Sequence, residues 1–193
     1  MGMVRINEGT ISFNGKTLSG EEYRKQISYL PQIARFPENL SANEFFSLIE
    51  NLRGPAQRKQ EAIAWFGVEE FLDKTLRNLS GGMRQKINLV SALMYDSPIV
   101  VLDEPSIGLD PVAMIALKKW ILEERAKGKH ILLCSHLMDL VQELADEVIF
   151  LMNGVVHFKG NIRELLDETG AHNLESAIAQ FLISKKPSHA QSI

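Results

Sequence analysis

The sequence is poor in several features that would point to particular protein classes. Its single cysteine, Cys134, excludes an internal disulfide framework and is typical of a reducing compartment. No run of about 18 apolar residues occurs, and the N-terminus lacks the apolar core of a secretory signal, so any membrane role is expected to require a partner. The net charge of −3 gives no basic excess, which argues against nucleic acid as a partner. What remains is a 193-residue globular chain, 45% hydrophobic, long enough for one core with an insert.

A phosphate-binding loop is also missing. Such a loop has the pattern G-x-x-x-x-G-K-[ST] and connects a buried strand to a helix. The nearest match ends in Gly15-Lys16-Thr17, but five residues separate Gly9 from Gly15 and no apolar run precedes Gly9. The stretch TISFNG instead predicts a short alternating strand and a tight turn at Asn14-Gly15.

A helical insert is predicted at about residues 33 to 95. Ser41 and Glu44 have the spacing of a capping box at the start of a first helix. A second helix is expected over Ala56 to Phe66, a short third one over EEFLDK, and Ser80 precedes a fourth. The first helix carries Phe45, Leu48, Ile49 and Leu52, and the fourth has one apolar face of Met83, Ile87, Val90 and Met94.

The rest of the chain alternates strands and helices. ISYLPQ predicts a strand that ends at Pro31-Gln32, and IVVLDEP and HILLCS predict buried strands, with Cys134 buried in the second. A helix from about Pro111 to Ala126 lies between them. EVIFLMNGVVHFKG predicts two strands joined at Asn153-Gly154, followed by terminal helices. This alternation predicts a mostly parallel sheet covered by helices.

Two adjacent carboxylates, Asp103 and Glu104, end the IVVLDEP strand. Ligands of open α/β sheets bind at the carboxyl ends of strands, and paired carboxylates there are costly unless a cation or a proton uses them. One carboxylate on Mg²⁺ and another orienting water is what phosphoryl transfer needs. The alternative is an exposed acidic turn.

Other polar residues are predicted near the same edge. Ser80 with Gly81-Gly82 makes a helix N-terminus suited to an anion, or else a flexible cap. His136 follows the HILLCS strand and Gln32 ends the ISYLPQ strand, so each is a candidate phosphate or metal contact. Asp110 is either part of a site or only the cap of the following helix.

Four stretches of the sequence resemble, in order and spacing, the nucleotide-binding subunit of ABC transporters. They are YLPQ, LSGGM, IVVLDEPSIGLDP and LLCSH. The resemblance extends from about Gly9 to Gly160. It implies a P-loop NTPase-like (RecA-like) α/β fold with an inserted helical subdomain and with the N-terminal part of the core missing. The implied parts are residues 1–32, a remnant of the N-terminal ATPase core; 33–95, the helical signature subdomain; 96–160, the α/β ATPase core; and 161–193, a C-terminal helical extension and tail.

The resemblance also implies a role for each motif residue. Asp103 would bind Mg²⁺, Glu104 would polarise the attacking water, and Gln32 would touch metal and water and signal to the membrane subunit. The other implied nucleotide contacts are Leu79, Ser80, Gly81 and Gly82 of the signature motif, which closes on ATP held by the opposing subunit, Asp110 of the D-loop at the dimer interface, and the switch His136 on the γ-phosphate.

The sequence departs from the family pattern in three places. Met83 stands where the family usually has glutamine, and Ser106 where threonine is common. More seriously, GTISFNGK lies after the phosphate loop in the family, so the chain is expected to begin too late. Because the base-stacking aromatic, the loop lysine and the Mg-binding Ser/Thr are all absent, the chain alone is expected neither to bind ATP tightly nor to hydrolyse it.

The implied function is an ATP-hydrolysing subunit of an export-type ABC transporter. It would use ATP and Mg²⁺ at the cytoplasmic face of the membrane, with a transmembrane permease subunit and a second ATP-binding subunit in a homo- or heterodimer. Two alternatives stay open: a non-catalytic partner that supplies the signature motif in trans, and an ABC-type ATPase without a transport role. An incomplete core also predicts uncovered sheet surface, with low stability or association.

Overall fold

The computed structural model describes residues 7–13, 15–17 and 22–184. It divides into two compact units, Met1–Cys134 and Ser135–Ile193. The division into four parts stays a prediction.

The Gly15-Lys16-Thr17 stretch lies in a small hairpin of the first unit. Strand β1 (Ser12–Phe13) pairs antiparallel with β2 (Lys16–Thr17), and Gly15 has a φ of 74°. Lys16 and Thr17 therefore belong to a strand and do not start a helix, as the sequence predicts. Asn14 of the predicted turn lies outside the described residues.

A three-stranded parallel sheet forms the core of the first unit. Its strands, in the order β3-β4-β5, are β3 (Ile27–Leu30), β4 (Ile99–Asp103) and β5 (His130–Cys134). Helix α4 (Pro111–Ala126) connects β4 to β5. Because all three strands are parallel, their carboxyl ends lie along one edge of the sheet.

The predicted helical insert lies between β3 and β4. The capping box is present: Glu44 N–H donates to Ser41 Oγ at 3.2 Å, and Ser41 N–H donates to Glu44 Oε2 at 2.8 Å. Short 3₁₀ turns lead into β3 and connect the later helices. The three helices are α1 (Ala42–Arg53), α2 (Lys59–Phe66) and α3 (Gly81–Leu93).

A buried carboxylate joins α2 to α4. Glu124 on α4 is 1% exposed, and burial alone would raise the pKa of its carboxyl. Hydrogen bonds from three cations outweigh burial and lower the pKa of Glu124 to about 2. The cations are Arg58, with Nη1 at 2.6 Å, Lys127, with Nζ at 2.7 Å, and Lys129, with Nζ at 2.5 Å.

The second unit packs a β-hairpin on two helices. The hairpin turns at Asn153, with a φ of 52°, and Gly154, with a φ of 76°, as the sequence predicts. Its inner face packs on a cluster formed by Ile162, Leu165, Leu174 and Ala177. The outer face exposes Ile149 (57%), Leu151 (61%) and Val156 (55%). The elements are α5 (Met138–Leu144), β6 (Glu147–Met152), β7 (Val155–Asn161), α6 (Ile162–Thr169) and α7 (Leu174–Ser184).

The prediction that HILLCS is a buried strand is wrong. Leu132 is 54% exposed and Cys134 is exposed, whereas Ile131 and Leu133 on the other face are half-buried. The reason is that, among the described residues, no element covers the face of β5 that carries Leu132 and Cys134, so that face stays open to solvent. An apolar run identifies the strand but not the layer that covers it.

Candidate functional site

The carboxyl ends of β3, β4 and β5 form one acidic edge of the sheet. Asp103 pairs in register with Cys134, and Glu104 N–H donates to the Cys134 carbonyl oxygen at 2.9 Å. Leu30, the last residue of β3, pairs with Leu102. Gln32 follows Leu30 by two residues and is exposed, so it leaves the sheet at the edge that also carries the two carboxylates.

Glu104 has an unusual backbone conformation. Its φ of 49° lies in the left-handed region, which costs a non-glycine residue on the order of 1 kcal/mol or more. The turn is closed by Ile107 N–H, which donates to the Glu104 carbonyl oxygen at 3.3 Å. Strain at a half-buried acid that follows a strand is typical of a position constrained by function.

The electrostatics of this edge favour a cation. Partial desolvation and then the charges of Asp103 and Glu104 raise the pKa of the Cys134 thiol. The carboxylate of Asp103 and the amide oxygen of Gln32 fit Mg²⁺, which takes few protein oxygens and fills its shell with water and phosphate oxygens. Among the described residues, no group of three or more His, Cys, Asp or Glu could hold a metal by itself. Water and phosphate oxygens would supply the remaining ligands.

The LSGGM stretch forms the start of α3. Ser80 is the N-cap, and its Oγ accepts the Met83 N–H at 3.3 Å. The preceding Leu79 is 6% exposed and anchors the turn in the core. A Cβ on Gly81 would meet no atom within 4 Å, so its backbone is open to an approaching ligand.

Gly82 has a second reason to be glycine. A Cβ there would lie 2.8 Å from the carbonyl oxygen of Gly108, closer than real Cβ atoms come. The start of α3 therefore packs directly on the backbone of the loop that follows β4. This contact is not evident from the sequence.

Asp110 has two partners at the end of that loop. Its Oδ1 accepts the Ala113 N–H at 2.8 Å, which makes it the N-cap of α4. Its Oδ2 lies 2.8 Å from Lys86 Nζ. The hydrogen bond from Lys86, followed by the one from Ala113 N–H, lowers the pKa of Asp110. Asp110 is therefore the N-cap of α4 and also ties α4 to α3, and its part in a site stays a prediction.

Two further polar residues of α3 contact the motif loops, and the sequence analysis missed both. Gln85 Nε2 donates to the Pro105 carbonyl oxygen at 2.9 Å, and Asn88 Nδ2 donates to the Pro31 carbonyl oxygen at 3.1 Å. Asn88 is 3% exposed. An asparagine inside the apolar run INLV was the signal that could have revealed a specific partner, because buried amides are hydrogen-bonded.

His136 lies in the second unit, two residues beyond Cys134, and is exposed. Its contact with a γ-phosphate stays a prediction.

Known proteins resemble this chain over most of its length. The ABC transporter family model matches residues 1–107. The ABC-type transporter ATP-binding protein EcsA of Bacillus subtilis is 30% identical over 88% of this chain and 72% of EcsA. The chain belongs to the ABC transporter family. A solved ATP-binding subunit of an ABC transporter has a TM-score of 0.85 at 30% identity and covers 94% of this chain and 79% of its own. The predicted P-loop NTPase-like fold is thereby confirmed.

Within the ABC family, the matched relatives are longer than this chain. The Nod factor export ATP-binding protein I of Ralstonia nicotianae is 30% identical over 86% of this chain and 54% of its own length. Two further relatives are covered over 55% and 60% of their lengths. In the part of the chain that the structure describes, no helix is long and apolar enough to cross a membrane.

Proposed function

We propose that this ABC family chain belongs to an ATP-hydrolysing subunit that energises export through a membrane permease. The observation that carries the proposal is the shared edge of the sheet, where Gln32, Asp103 and Glu104 lie at the carboxyl ends of parallel strands. The close contact between Gly82 and Gly108 brings the LSGGM turn to the loop after β4. The export role in the name of the Ralstonia relative supports the direction of transport.

Each side chain at this edge has a distinct task in the proposal. Asp103 and Gln32 hold Mg²⁺, and Glu104 orients the attacking water and accepts its proton. Bound Mg²⁺ would neutralise developing charge on the phosphates.

The LSGGM turn and the flanking residues act on the same nucleotide across a subunit interface. Ser80 Oγ and the free N–H groups at Gly81-Gly82 form an anion site at a helix N-terminus, with Leu79 as its anchor. Asp110 lies at that interface, and His136 donates to the γ-phosphate.

The 193-residue sequence contains no phosphate loop. Phosphoryl transfer depends on positioning, and Glu104 has no effect on a phosphate that is not held in place. We therefore expect isothermal titration calorimetry of the purified chain with MgATP to show no binding at micromolar concentrations. Micromolar affinity would contradict this part of the proposal.

A second candidate function is a partner in trans. The Ser80 turn is fully formed in this chain without a phosphate loop. It could close on ATP that an intact ABC subunit, one containing G-x-x-x-x-G-K-[ST], holds in its own loop. This candidate requires a stable complex of the two chains at micromolar concentrations.

A matched pair of variants tests the role of Ser80. Asp and Asn both cap helices well, so Ser80→Asp and Ser80→Asn differ mainly in the charge that would face a phosphate. In a mixture with the intact subunit, we expect Ser80→Asp to abolish the ATPase stimulation caused by this chain and Ser80→Asn to retain most of it. Equal activity of the two variants, or no stimulation by the unchanged chain, would exclude action in trans.

A further inference from the structure

Helix α3 contacts the loop after β4 at three points. The contacts come from residues spaced i, i+3 and i+4, which lie on one side of a helix. The pairs are Gln85 Nε2 with the Pro105 carbonyl oxygen at 2.9 Å, Lys86 Nζ with Asp110 Oδ2 at 2.8 Å, and Gly82, whose Cβ would lie 2.8 Å from the Gly108 carbonyl oxygen.

The same helix also contacts the loop after β3. Buried Asn88 donates to the Pro31 carbonyl oxygen at 3.1 Å, directly before Gln32. With a rise of about 1.5 Å per residue, Gly82 and Asn88 are about 9 Å apart along the axis. One helix, capped by Ser80, therefore touches two of the loops that emerge from the sheet edge, those after β3 and β4.

We propose that Gln85, Lys86 and Asn88 are positioning residues that hold three loops as one body. The loops are the one that carries Gln32, the one that follows Glu104, and the Ser80 turn. The inference rests on the proposed function for what these loops do. When a phosphate displaces the Ser80 turn, the loop that carries Gln32 and the loop that follows Glu104 then move with that turn.

Amide hydrogen exchange of the full chain, without nucleotide, tests whether α3 and the loop after β4 are held together. Asp110→Asn removes the charge that pairs with Lys86 but keeps a good N-cap on α4. We expect exchange to become about two- to fivefold faster in residues 106–110 and in the first turn of α3, the range typical of a partly exposed ion pair. Lys86→Ala should have the same effect, and the double variant no larger one, because both remove one interaction.

Arg84→Ala is the matched control. Arg84 is also a cation on α3, but among the described residues its partners are Glu38, at 3.7 Å, and the Arg77 carbonyl oxygen, at 3.2 Å. Its removal should leave exchange in residues 106–110 unchanged.

Activity distinguishes positioning from a purely structural role. In the mixture with an intact subunit and MgATP, Lys86→Ala should lower kcat several-fold and leave KM for ATP within about twofold, because a positioning defect acts on the transition state. Lys86→Arg keeps the charge and should restore both kcat and slow exchange.

Two results would overturn the inference. One is faster exchange confined to residues 106–110, with the first turn of α3 unaffected. The other is an unchanged kcat for Lys86→Ala while Ser80→Asp abolishes activity. If Ser80→Asp has no effect, the proposed action in trans fails instead, and the exchange data alone decide whether the loops move together.

Discussion

Replacing Glu124 by glutamine would remove a single negative charge from a buried site and keep the shape of the side chain. Arg58, Lys127 and Lys129 would lose the carboxylate that they share. The pKa of Glu124 falls from 4.5 to about 2 on folding, which corresponds to about 3 kcal/mol of stability at neutral pH. Breaking a buried ion pair from one side typically costs about 3–5 kcal/mol. We therefore expect Glu124→Gln to lower the free energy of unfolding by about 3 kcal/mol.

The effect has a defined pH dependence. Because the pKa of Glu124 is depressed in the folded state, its contribution is complete above the unfolded value of 4.5 and is lost as the pH falls through about 2. The difference in stability between the unchanged chain and Glu124→Gln should therefore be constant near neutrality and narrow below pH 4.5. Comparing the two chains at each pH cancels the titration of the other carboxyls.

Urea titration followed by tryptophan fluorescence measures this difference. Both tryptophans of the chain, Trp65 and Trp120, lie close to Arg58, so the signal reports on this region. Glu123→Gln is the matched control, since Glu123 pairs with Lys119 at 3.7 Å on the surface of the same helix. It should cost less than about 1 kcal/mol. Equal losses for the two variants, or a difference that does not narrow in acid, would refute the reasoning.

Two other substitutions test contacts described above. Gly82→Ala would force a Cβ to 2.8 Å from the Gly108 carbonyl oxygen and should lower the free energy of unfolding by about 1–3 kcal/mol in urea titrations. Gly81→Ala, with open space around its Cβ, should not lower it. Similar results for the two variants would argue against close packing at Gly82. Placing lysines at Ile149 and Leu151 on the bare face of the β6–β7 hairpin should reduce self-association of the chain in sedimentation velocity at micromolar concentrations. Unchanged association would mean that another surface is responsible.

Local sequence signals predicted the elements whose ends depend on neighbouring residues. Helix α4 occupies Pro111–Ala126 as predicted, because Asp110 caps it and proline suits its first turn. The hairpin turn at Asn153-Gly154 is likewise fixed by two residues that tolerate positive φ. Such signals act within about one helical turn and do not depend on the rest of the fold.

Burial was less predictable, because it depends on what packs against an element. On α1, Leu48 and Leu52 are 39% and 82% exposed, whereas Ala42 and Phe46 are fully buried. The apolar residues of this helix occupy more than one face, and only the position of its neighbours selects which face is covered. The exposed Cys134 on β5 has the same explanation.

The candidate site was predictable by residue type and order but not by contact. Asp103 and Glu104 are candidates because paired carboxylates at the end of an apolar strand are costly unless a cation or a proton uses them. The contacts of Gln85 and Lys86 depend on where α3 passes the loop after β4, which no local pattern encodes. Gly82 has the appearance of a ligand-binding glycine in the sequence, and the structure adds a packing requirement within the same chain.

The parallel pairing of β3 with β4 has a consequence for the order of folding. Ile27 pairs with Ile99, a separation of 99 − 27 = 72 residues that contains all three helices of the insert. Joining strands so distant along the chain is entropically unfavourable until the intervening segment has become compact. Refolding should therefore show helix formation before the sheet forms, and Gln32 should reach the edge that carries Asp103 and Glu104 only in the last step.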